Sequence, residues 1–172
     1  MENNITLRNI NKDLKFVLAF FLITLSIGIF TGLGYIYLTT SMSIDGTVEH
    51  YNGLNEEELL EDDDWDSWDE PVKVGKYVHD MLNITHAHII SFTIINLLIS
   101  IIFYFNTIIK GLFKRILMFE PFFATIITFS SLWLMRYVND NFVYIVIISA
   151  MIMYCFWYIM IAVCLIDLFK SE

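Results

Sequence analysis

Charge is scarce in this sequence. Asp, Glu, Lys and Arg make up 17% of its 172 residues, where a soluble domain carries about 25%, so the shell of a water-soluble fold is missing. Cysteine is scarcer: there are two, Cys155 and Cys164, in one apolar stretch. On a helix the nine residues between them turn through ~900° and set them on opposite faces, so they cannot pair within it; they read as small apolar packing residues. No CxxC, no Walker loop, no HExxH helix and no Ser–His–Asp order is present, and nothing sets a nucleophile beside a base. Gly32-Leu33-Gly34 lacks the third glycine and the strand–helix setting of a dinucleotide loop. Ten bases face nineteen acids, and no basic surface emerges that would suit nucleic acid.

What fills the chain instead is apolar: 57% of residues are hydrophobic and mean hydropathy is +0.62. These residues come in four long runs, Phe16–Thr39, Met81–Phe105, Ile116–Met135 and Phe142–Ile166, with one carboxylate (Glu120) and no Lys or Arg inside them. Each is long enough to cross ~30 Å of hydrocarbon at ~1.5 Å per residue, and none alternates as a barrel strand would. The first run is longer than a signal h-region and no small-x-small cleavage site follows it, so it reads as a retained anchor. The expected fold is all-α: one membrane domain, 1–172, in which four spans form an antiparallel up-down-up-down bundle, with an acidic loop, 40–78, between the first two.

The net charge of −9 is local, because residues 40–78 hold twelve acids and two bases. Within them, Leu54–Glu70 is almost wholly acid or tryptophan, which predicts a solvated, mobile loop. It has no central glycine, so a calcium loop is disfavoured. Trp65 and Trp68 would rest at the interface or dock a basic partner. Seven bases (Arg8, Lys12, Lys15, Lys110, Lys114, Arg115, Lys170) lie on one side of the spans and three (Lys73, Lys76, Arg136) on the other. The positive-inside rule then puts both termini in the cytoplasm of a bacterial inner membrane.

Polar residues inside the spans carry the functional reading. His79, His86, Thr93 and Ser100 recur every seven residues in the second span, with Thr85 and Asn96 close to the same line; this stripe is expected to face the bundle interior. His86 and His88 point ~200° apart and cannot chelate one ion on a regular helix, and His79 and His86 are ~10.5 Å apart along it. A haem suits a lone histidine better, since a bundle histidine is an ordinary axial ligand. The expected site is therefore a haem b, or a transition metal, on His86. His50, Met135, Met151 or Met153, or a histidine of another subunit, would supply a second ligand. Arg136 would pair with a propionate. For a metal the candidates are His86, His88 and His50. Such a protein would serve an electron-transfer or respiratory system. The plainer reading is that these histidines bond neighbouring helices, in an accessory subunit of a larger membrane complex or a homo-oligomer. In the third span Ala124, Thr128, Ser131 and Met135 share a small, polar face with Glu120, expected inward. Glu120 itself, beside Pro121, reads as a helix-start carboxylate within snorkelling reach of Lys114 or Arg115. Gly28 and Gly32 have GxxxG spacing and are expected to pack on a helix of this chain or a partner. Neither inverted repeats nor matched broken helices are visible, which disfavours transport.

Three motifs complete the reading: Glu49-His50-Tyr51-Asn52-Gly53, Thr85-His86-Ala87-His88 and Trp133-Leu134-Met135-Arg136-Tyr137. In order and spacing the chain resembles a family of small, uncharacterised four-span bacterial inner-membrane proteins with E-H-Y-x-G, T-H-x-H and W-L-x-[RK]-Y motifs. Asn52 stands where that pattern leads one to expect Arg, and the acidic run is an insertion in it. The resemblance implies the four-span topology and marks His50, His86, His88 and Arg136, which by that topology gather at the outer mouth of the bundle.

Overall fold

The structure, a computed structural model, describes residues 5–53 and 74–170. The expected mobility of Leu54–Glu70 falls outside the described residues.

Four long helices carry the four apolar runs: α1 (Lys12–Thr40), α3 (Val78–Tyr104), α4 (Gly111–Tyr137) and α5 (Val143–Phe169); a short helix, α2 (Ile44–Asn52), follows α1. The four long ones have the length and composition to cross a membrane, and the bundle is antiparallel up-down-up-down. Its lateral surface shows large apolar side chains such as Phe20, Phe30, Ile94, Phe123 and Ile148. With nothing but hydrocarbon to receive them, these define a multi-pass protein in contact with the lipid bilayer.

Local sequence explains the joints. The Asn11 side chain caps α1 by accepting the Asp13 N–H at 2.9 Å, and Ser43 caps α2 by accepting that of Gly46 at 2.9 Å. Between them Ser41 and Met42 adopt left-handed conformations (φ 51° and 49°), which turn the chain sharply over the end of the bundle. Gly46 is required there, because a Cβ at that position would stand 2.2 Å from the Thr40 carbonyl oxygen. Asn139 opens a single 3₁₀ turn, Asp140–Phe142, that reverses α4 into α5.

Helices α3, α4 and α5 form the tight part of the bundle, and α1 rests against α5. The main core holds Leu22, Ile99, Phe103, Leu117, Trp157 and Met160 among others. A smaller cluster under α2 holds Met81, Phe129, Leu132, Met135, Val143 and Val146. Ala124, Thr128, Ser131 and Met135 are all buried, so the inward face expected for α4 is observed. Gly28, Gly32 and Gly34 have no atom within 4 Å of an added Cβ, so nothing described in this chain packs on the GxxxG surface.

The end bearing the termini is fastened by polar contacts. The Leu7 N–H donates to the Phe105 carbonyl at 3.0 Å. The Arg8 guanidinium bonds the wholly buried Asp167 carboxylate at 2.7 Å. Thr107 donates to the same carboxylate through its backbone N–H (2.6 Å) and its hydroxyl (2.8 Å). One residue side chain thus joins the amino-terminal segment, the α3–α4 connection and the last turn of α5.

Candidate functional site

The three sequence motifs meet at the other end of the bundle, where α2 lies over α4 and α5. Asn52, on the last turn of α2, donates to the Asp140 carboxylate at 2.6 Å and more weakly to the Met135 carbonyl at 3.4 Å. Trp133 donates through Nε1 to the Thr85 hydroxyl at 2.8 Å, which ties α4 to the start of α3. Arg136 donates through Nε to the Lys76 carbonyl at 3.0 Å, with its guanidinium 5.4 Å from the Tyr137 ring centroid. The Lys76 N–H in turn donates to the Tyr51 carbonyl at 2.9 Å, and its ammonium stands 5.8 Å from the Tyr51 ring centroid. An isolated antiparallel bridge joins Gly53 and Val74. Gly75 admits no side chain: a Cβ would stand 2.4 Å from the Asn52 carbonyl oxygen and 2.8 Å from an Arg136 terminal nitrogen. Burial, and then the nearby Tyr35, pushes the Tyr51 phenol above its ordinary value.

The proposed ligands are disposed differently. His50 stands edge-on to the Tyr51 ring at 4.9 Å. Met135 is buried in the cluster beneath α2. His88 bonds the Ile84 carbonyl of its own helix at 2.8 Å and lies 5.8 Å from the Phe129 ring. His86 is exposed on the lipid side of α3, and among the described residues its side chain has no hydrogen-bond or ion-pair partner. Met151 is exposed and Met153 is buried. Among the described residues no three His, Cys, Asp or Glu side chains gather closely enough to hold one metal ion.

The inward stripe expected on α3 is therefore corrected. Of His79, His86, Thr93 and Ser100, only Ser100 is buried. The packed face is Met81, Thr85, Phe92, Asn96, Ile99 and Phe103, and His86 lies about 100° around the helix from its centre. The physical reason is that lipid tails are as apolar as a bundle core, so polarity alone does not choose a helix face; close packing and buried hydrogen bonds do. Glu120 is corrected too. Lys114 turns away, to the Tyr104 and Asn106 carbonyls at 2.6 and 3.1 Å, and one Glu120 carboxylate oxygen is buried without a hydrogen-bond partner among the described residues.

The structure also holds a polar centre that the sequence concealed. Asn96 donates to the Pro121 carbonyl at 3.1 Å and to the Thr125 hydroxyl at 3.3 Å, and the Trp157 indole N–H donates to the Asn96 carbonyl oxygen. Thr125 continues to Met153 sulfur at 3.3 Å, and the Thr128 and Ser149 hydroxyls bond at 2.7 Å. Every helix of the tight trio contributes. Asn96 was visible as a polar residue near the supposed stripe; Trp157, inside a strongly apolar run, gave no sign of an acceptor. A groove of about 380 Å³ lies between α3 and α4 nearer the termini, lined by Leu97, Ile101, Tyr104, Met118, Phe119 and Phe122 among others. Its largely apolar lining suits lipid.

Comparison with known proteins places this architecture. The family model Aq_1264_TM, a transmembrane helical domain, matches residues 41–172, which leaves α1 outside the match. No curated protein and no solved structure matches the chain. By the extent of that one match, from α2 to the end of α5, the chain belongs to the Aq_1264_TM family of transmembrane helical domains.

Proposed function

We propose that this chain is a non-catalytic accessory subunit of a larger membrane assembly, seated in a bacterial inner membrane with both termini in the cytoplasm and α2 on the opposite face. One observation carries the reading. The polar groups of the tight trio are spent on one another through Asn96, Trp157, Thr125, Thr128 and Ser149, while unspent polar side chains lie on the outside of α3. A protein that works alone in lipid has no use for polar groups on its lipid face, whereas a subunit meets them with a neighbour. Extraction from the native membrane in a mild detergent, followed by native mass measurement, tests the reading. A discrete assembly heavier than one chain is expected; a monodisperse single chain would overturn it.

A second reading keeps the cofactor, favoured by the unpartnered His86 imidazole. Here His86 is an axial ligand of a haem b or a donor to a transition metal in an electron-transfer system, completed by His50 or by a histidine of another subunit. Arg136, with terminal N–H groups beyond the Nε bonded to Lys76, would meet a propionate. A visible spectrum and metal quantitation of protein from its native membrane decide it. Absence of both a Soret band and stoichiometric metal removes the cofactor, and a cofactor that survives His86→Ala moves the ligand elsewhere.

A further inference from the structure

We infer that the face of α3 bearing Asn83, His86 and Thr93 is a two-fold interface with a second copy of this chain inside the bilayer. The inference rests on the accessory-subunit reading and names the first neighbour in the assembly. Its starting point is a contrast among exposed polar groups. Thr31, the half-buried Thr39 and Ser91 each donate to a carbonyl four residues back on their own helix, at 2.9, 2.9 and 2.7 Å, and His88 bonds the Ile84 carbonyl. The three hydroxyls satisfy themselves and can face lipid cheaply, and His88 is met at Nδ1. Asn83, His86 and Thr93 are also exposed, yet among the described residues none of the three has a side-chain hydrogen bond. They fall within about 80° of one another around α3, together with the exposed Ile90 and Leu97, and well off the packed face.

Depth makes the contrast costly. The 27 residues of α3 span ~40 Å, of which ~30 Å is hydrocarbon, so His86 lies ~7 Å inside the boundary and Thr93 near the middle. Lipid tails offer these groups nothing, and an unmet amide or imidazole there is expensive. His79, at the helix start, lies outside that zone and has Asp80 at 3.7 Å.

The chemistry of the row selects the occupant. An amide, a neutral imidazole and a hydroxyl each donate and accept, and no Asp, Glu, Lys or Arg lies on this face from Asn83 to Leu97. The row is thus complementary to itself, and calls for no partner of opposite charge. Two copies inserted the same way are related by an axis along the membrane normal, which brings each such residue close to its own counterpart. Ile90 and Leu97 supply the apolar contact between the polar positions.

The test uses the full chain in its native membrane, with Cys155→Ser to remove the exposed native thiol. Ile90→Cys and Ser91→Cys are adjacent and at nearly one depth, but about 100° apart around the helix, so they separate a specific face from random collision. Oxidation is expected to give a covalent dimer of twice the chain mass from Ile90→Cys and several-fold less from Ser91→Cys. Adding Asn83→Leu and His86→Leu to the Ile90→Cys chain is expected to lower the dimer yield about ten-fold, with helical content unchanged. Equal yields at the two positions, no dimer from either, or a yield indifferent to the Leu substitutions would overturn the two-fold interface. A heavy native assembly without the Ile90→Cys dimer refutes the second copy while sparing the accessory reading; a single chain in the native membrane refutes both.

Discussion

Replacing Asn96 by leucine tests what holds α3 to its neighbours. Leucine keeps the branched skeleton of asparagine with bulkier methyls, so no cavity is left and the result reports the lost hydrogen bonds with a small overpacking contribution. Three are lost: two from the amide nitrogen, to Pro121 and Thr125, and one accepted from Trp157. Interhelical bonds in membranes average about 0.6 kcal/mol each, and a buried donor left without an acceptor costs about 1–3 kcal/mol. Thr125 keeps its bond to the Pro121 carbonyl at 2.7 Å, so the indole carries most of the loss, and Asn96→Leu is expected to destabilise by about 2–4 kcal/mol. Trp157→Phe removes the donor as well as some volume. In the double variant the orphaned partner no longer exists, so the combined cost is expected to fall short of the sum by about 1–2 kcal/mol. Reversible unfolding with SDS in mixed micelles, followed by far-ultraviolet circular dichroism, measures all four proteins. An Asn96→Leu chain as stable as the parent, or strictly additive costs, would refute the claim that this centre binds the three helices together.

Other expectations follow from both ends of the bundle. Cysteines at positions 60 and 112, in place of Leu60 and Leu112, are expected to react with impermeant reagents from opposite sides of the membrane; same-side labelling would end the proposed orientation. Gly75→Ala drives a methyl against the Asn52 carbonyl and Arg136 and is expected to loosen α2 at a cost of about 1–3 kcal/mol, read as lost amide-exchange protection across residues 44–53. Arg8→Ala strips a partner from a buried carboxylate; because Arg8 is partly exposed and Thr107 remains, the cost is expected to be about 2–3 kcal/mol, again by SDS titration. Tyr51 has a folded-state pKa above its ordinary value of 10.0, so the docking of α2 is at full strength below that pH and weakens as pH rises beyond it. Tyrosinate absorbance and α2 exchange should change together there, and Tyr51→Phe should remove that dependence.

The four spans were readable because unbroken apolar length has few other meanings, and the inward face of α4 was readable because its small residues recur at helical spacing. The rotation of α3 was not. Its histidines and hydroxyls make a regular row, and placing polar residues inside is sound only where the outside is water. Lipid removes that asymmetry, and Asn96, a single amide with two helices to bond, outweighed the row. Helix α2 was hidden for a different reason: Ile44–Asn52 lies beside a strongly acidic stretch, and about two and a half turns of amphipathic helix are drowned by such neighbours. At the candidate site, the motif residues Thr85, Trp133, Asn52 and Arg136 do converge. The sequence could not show that they fasten the end of the bundle to itself, while His86 is directed away from it.

The Arg8–Asp167 contact joins residues 159 positions apart. During synthesis the arginine emerges well before its carboxylate, so this fastening of the α1 end has to wait until the last turn of α5 has been made. Until then the segment before α1 lacks its tie to α5. The ion pair reports that α5 is complete through Asp167. A product truncated before Asp167 would lose the one side chain that joins the segment before α1, the α3–α4 connection and α5.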